Sequence, residues 1–171
     1  MNIEQRLTVE HSRILTMAIV NYIGAEPTRF KELMIVFLNG EYRLTQRAAW
    51  PLSYVCIAEP QLLKPYFSKL IGKLKAPGNH PAIKRNILRI FQEIDIPEKY
   101  QSAVIDECFK LISDPAQTVA VMAFAITVAT RLCKPYPELK RELLLVLQHL
   151  ATHPQTPAIT VRIKRAMKDL T

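Results

Sequence analysis

The chain has 171 residues, of which 49% are apolar, with only 4 glycines, 12 prolines and a net charge of +8. That length suits one domain with a real core, and the composition excludes a disordered or loop-rich chain. The longest apolar runs, such as 143–147, fall far short of the ~20 residues that a membrane-spanning helix needs, so no membrane partner is expected.

Helical signals begin at residues 8–22, where Val9, Ile14, Leu15, Ala18, Ile19 and Tyr22 are apolar and Gly24 is a natural stop. Glu26-Pro27-Thr28 starts a second helix that Asn39-Gly40 ends. A third covers 42–58, with Pro51 directly after Trp50, which predicts a kink or two short helices. Pro60 opens a fourth element, Pro65 marks its alternative start, and Phe67, Leu70, Ile71 and Leu74 form its apolar face. Residues 76–79 (Ala-Pro-Gly-Asn) are the most loop-like in the chain.

The central stretch, 80–132, carries the strongest patterning. Ile83, Ile87, Ile90, Phe91 and Ile94 share one helical face, with Lys84, Arg85, Arg89 and Gln92 turned away. Asp95 stands where an N-cap belongs, with Pro97 in the first turn, and Val104, Ile105, Cys108, Phe109, Leu111 and Ile112 form the next apolar face. Asp114-Pro115 repeats the device, Asp as cap and Pro at the first helical position. The helix after it is apolar nearly all round, and its Ala120, Ala123, Ala125 and Ala129 allow close approach of neighbours. A helix after Pro137 follows. The loop 153–157 then leads, with Thr156 as cap, into a last helix to about residue 170.

Charge is unevenly placed. Residues 1–85 hold 12 Lys and Arg against 6 acids, and no acid lies between Gln61 and Gln92. A second basic cluster is Arg162, Lys164, Arg165 and Lys168. This balance favours acidic partners: nucleic acid, an anionic surface or an acidic protein. Cys56, Cys108 and Cys133, odd in number and on apolar helical faces, read as reduced, buried thiols, and hence as a cytoplasmic protein. The first twelve residues lack a basic segment followed by an apolar one, so no signal peptide is expected.

Four segments align as a repeat: TQRAAWPL at Thr45, IKRNILRI at Ile83, TVAVMAFA at Thr118 and TVRIKRAM at Thr160, at offsets of 38, 35 and 42. With Asp114-Pro115-Ala116-Gln117-Thr118-Val119 and the Val161-Arg162 pair, the chain resembles the HEAT and armadillo-like helical repeat proteins. At Ala120 it departs from the usual Val-Arg pair. The resemblance implies an all-α fold, an α-α superhelix of about four helical pairs plus an N-terminal capping helix, in one domain over 1–171.

No nucleophile elbow, phosphate-binding loop or dinucleotide fingerprint is present, so no catalytic residue is assigned and a non-enzymatic role is expected, an enzyme of unrecognised type being the third choice. His149 and His153 have zinc-ligand spacing, but no third ligand lies near, and neither metal nor cofactor is expected. Asp106 and Glu107 are adjacent and read as a solvated face. The candidate partner-binding set is Arg47, Trp50 and Tyr54, which share one face, then Lys84, Arg85 and Arg89, then Arg162 and Arg165. In solenoids of this type the second helices of the pairs line a concave binding surface. Such a surface suits an acidic protein or peptide with Trp50 as anchor, and this protein-binding scaffold is the preferred reading. The alternative is nucleic acid, held by phosphate contacts with Trp50 stacking on a base. HEAT-like alkylated-DNA glycosylases share the fold only; their catalytic acid and cleft aromatics have no match here. A third possibility places Trp50 in the core beside Pro51, with the arginines as plain solubilising groups.

Overall fold

Side-chain caps fix where the first helices begin. Asn2 and Ser12 each accept a hydrogen bond from the amide three residues on, Gln5 and Leu15, both at 3.0 Å. In the computed structural model, which describes residues 1–171, these caps start two helices, α1 (Ile3–Val9) and α2 (Arg13–Ile23). The single helix expected over 8–22 is therefore corrected. Val9 ends α1, and the Ser12 cap breaks the chain before α2 because its hydroxyl competes with a continuous helix. Contacts divide the chain into two units, Met1–Ile94 and Asp95–Thr171.

The first unit continues with α3 (Pro27–Asn39), α4 (Tyr42–Ala58), a 3₁₀ segment (Pro60–Tyr66), α5 (Phe67–Lys75) and α6 (Pro81–Glu93). Pro51 does not split α4, which runs as one helix through it. An interior proline costs an isolated helix about 3 kcal/mol. Here Ala48, Ala49, Leu52, Val55 and Cys56 are buried on both sides of it, and α4 packs against α1, α2, α3 and α6. Tertiary burial outweighs the local defect. The two prolines of the 3₁₀ segment lack amide protons, so α5 starts at Phe67, two residues beyond Pro65. Gly40 has an ordinary φ of −64°, yet a Cβ there would run into the Val36 carbonyl oxygen at the end of α3. In the core, the Phe67 and Phe91 rings stack with centroids 6.3 Å apart and planes 10° from parallel.

The second unit comprises α7 (Glu98–Ser113), α8 (Val119–Cys133), α9 (Pro137–Ala151) and α10 (Pro157–Leu170). Helix α8 packs on α7, α9 and α10, which is why it is apolar nearly all round. Both Asp caps expected from sequence are corrected. Asp95 is exposed, and Pro97 occupies the cap position of α7 without a side-chain bond. Asp114 accepts from the Ala116 amide at 2.9 Å, closing an Asx turn, and α8 begins only at Val119. Thr156 does cap α10, accepting from Ile159 N at 3.5 Å.

The chain is thus all helical, and no helix is long and apolar enough to cross a membrane. The three cysteines are free and buried. Burial pushes the Cys56 and Cys108 thiols far above neutrality and Cys133, with help from the Glu142 charge, to about 11. A thiol-specific chromogenic reagent is therefore expected to find no reactive sulfur in the native protein and all three after denaturation. Rapid native labelling would contradict this burial.

Candidate functional site

On α4 of the first unit, Arg47, Trp50 and Tyr54 follow one another at helical spacing, each half-buried. Arg89 reaches them from α6, its guanidinium 4.6 Å from the centre of the Tyr54 ring. A hydrogen bond from Arg89 holds the Tyr54 phenol below its usual range, against the opposing effect of burial. The Arg89 charge, a Trp50 hydrogen bond and Arg13 add to the lowering. His11, which precedes the Ser12 cap of α2, meets the Trp50 indole edge to face, 5.5 Å between centroids at 78°.

Arg47 also makes contacts within the chain that its spacing does not signal. Its Nη1 donates to the carbonyls of Leu7 (2.6 Å) and Thr8 (2.9 Å), closing the C-terminal end of α1. Arg47 is thus a structural clamp as well as a neighbour of the site. Beside it a cleft of about 260 Å³ is lined by His11, Gln46, Trp50, His80, Arg85 and Asn86. Arg85 is exposed there, whereas Lys84 is half-buried and does not line the cleft. The sequence pattern missed His11, Arg13 and His80; nothing in their local spacing ties them to Trp50.

His11 is exposed overall, but partial desolvation of its ring beside Trp50, followed by the positive charge of Arg47, lowers its pKa below the ordinary 6.5. The unfolded chain therefore takes up this proton first as pH falls. The stability His11 permits is present above pH 6.5 and is lost as pH drops through the lowered folded value. Denaturant midpoints measured from pH 8 to pH 5 are expected to fall for the native chain and to fall less for His11→Gln.

Arg162 and Arg165 belong to the second unit, on α10. With Arg131, Lys134 and Asp169 they line a cleft of about 260 Å³, where Arg162 Nη1 donates to Thr127 Oγ1 at 2.8 Å. His149 and His153 have ring centroids 4.9 Å apart, and His153 Nδ1 lies 3.1 Å from the His149 carbonyl. No group of three or more His, Cys, Asp or Glu is placed to hold a metal ion. The solvated Asp106-Glu107 face is half corrected. Asp106 is exposed, but Glu107 is buried and pairs with the exposed Lys110 at 3.7 Å, because the helix turns Glu107 inward beside Cys108.

Residues 3–170 match the family described as HEAT repeat domain. The chain belongs to this family. HEAT repeats generally mediate protein interactions, and the stacked helices of this HEAT repeat domain fit a repeat scaffold. No curated protein and no solved structure matches the chain.

Proposed function

We propose that this HEAT repeat domain is a non-enzymatic cytoplasmic scaffold, acting as one domain over 1–171, that binds an acidic segment of another protein on the α4–α6 surface. The carrying observation is the one-sided chemistry of that surface. Helix α4 has no acidic residue, and α6 has none before Glu93. Arg85 and Arg89 stand there with Trp50 and Tyr54, giving forked donors beside two amphipathic rings. Arginine and aromatic residues carry most of the energy at protein interfaces. Buried reduced thiols support the cytoplasmic part of the reading. Arg162 and Arg165 are not needed for this contact.

The test uses Trp50, the only tryptophan in the chain, as its own reporter. Titration with an Asp- and Glu-rich peptide containing one aromatic residue is expected to change its fluorescence saturably. The Arg85→Glu/Arg89→Glu variant should weaken that binding tenfold or more, about 1.4 kcal/mol. Unaltered binding by this variant overturns the proposal. So does preference for duplex DNA with a steep salt dependence, which assigns the surface to phosphate backbone instead.

A further inference from the structure

We infer that the cleft between α8 and α10 in the second unit is a binding site for a phosphoryl anion, with inorganic phosphate its simplest occupant. Four cations, Arg131, Lys134, Arg162 and Arg165, line it against a single carboxylate, Asp169, within about 260 Å³. Like charges gathered in so small a space repel one another, and a bound anion relieves that repulsion. A dianion does so better than a monovalent carboxylate, since Lys134, Arg162 and Arg165 by themselves outnumber the acid by two.

One of the arginines is already oriented. The Thr127 hydroxyl donates to the Ala123 carbonyl at 3.1 Å and accepts from Arg162 Nη1 at 2.8 Å. This chain of bonds fixes the guanidinium plane while using one of its five N–H donors, so a forked set of donors is ordered before any ligand arrives. Nothing aromatic lines the cleft, which leaves no platform for a nucleobase. The ligand is therefore compact. Asp169 supplies an acceptor, which suits phosphate that still carries an O–H and gives sulfate, which has none, no matching partner.

The experiment is calorimetric titration of the full chain at pH 7 and low chloride with inorganic phosphate, glycerol phosphate and sulfate. Saturable binding of inorganic phosphate, several-fold tighter than sulfate, is the expected result. Glycerol phosphate, whose dianion has lost the O–H that Asp169 would accept, is expected to bind more weakly than inorganic phosphate. Arg165→Gln removes an exposed cation without touching the Thr127 bond, and Arg162→Gln removes the oriented one. Each should weaken phosphate tenfold or more while the denaturation midpoint of Arg165→Gln stays unchanged. Absence of saturation, equal affinity for sulfate, or unchanged affinity in both variants overturns the inference. Arg131 and Lys134 would then only offset the carbonyl end of α8. Binding of duplex DNA without binding of phosphate also overturns it, in favour of a diffuse polyanion field.

Discussion

Phe91→Ala is expected to lower the stability of the protein by about 3–5 kcal/mol, read as a shift in denaturant midpoint. Phe91 is fully buried, stacked on Phe67, in a helix that packs against both α4 and α5. Truncation removes the apolar burial of the ring and leaves a void beside Phe67. The neighbours Ile87, Leu88 and Ile90 are themselves buried and held by helix backbones, so they relax only partly. Phe109→Ala is the comparison. Phe109 is half-exposed on α7, and its loss should cost markedly less. Equal costs at the two positions would contradict the packing described here.

Ala129→Leu should destabilise by about 1–3 kcal/mol for the opposite reason, overfilling. Ala129 is fully buried in α8, the helix in contact with α7, α9 and α10. The helical neighbours Ala125, Ile126, Val128 and Leu132 are buried as well, so the added atoms have no open side to enter. The new side chain must leave its preferred rotamer or push a helix outward. Thermal denaturation compared with Ala120→Leu, at a half-exposed position of the same helix, separates overfilling from any change in helix propensity. A smaller loss at Ala129 than at Ala120 would be inconsistent with this packing.

The helical faces were legible because one period of 3.6 residues governs both pattern and burial. Ile83, Ile87, Ile90, Phe91 and Ile94 all lie in the core, as their spacing requires. The helix starts were less legible. Asp-Pro is compatible both with an N-cap and with a separate Asx turn, and at Asp114 the turn prevails, with Thr118 left at the start of α8. Ser12 was hidden by an apolar pattern that continued across it, because periodicity is insensitive to a single competing hydroxyl. At the candidate site, the Arg47, Trp50 and Tyr54 face was readable within one helix. The clamp from Arg47 to α1 spans some forty residues and has no local signal, and the same holds for His11 against Trp50. Arg85 and Arg89 were readable as outward-facing; that Arg89 would lie over Tyr54 depended on how α4 and α6 pack.

The hidden sulfurs have a use of their own. Cys56 lies in the first unit, while Cys108 and Cys133 lie in the second, so each half carries a private clock. With excess alkylating agent, mass spectra taken over time record which clock starts. Singly modified chains accumulate when the first half opens alone, and doubly modified chains when the second does. A direct jump to triple modification marks one concerted breathing event across the whole chain.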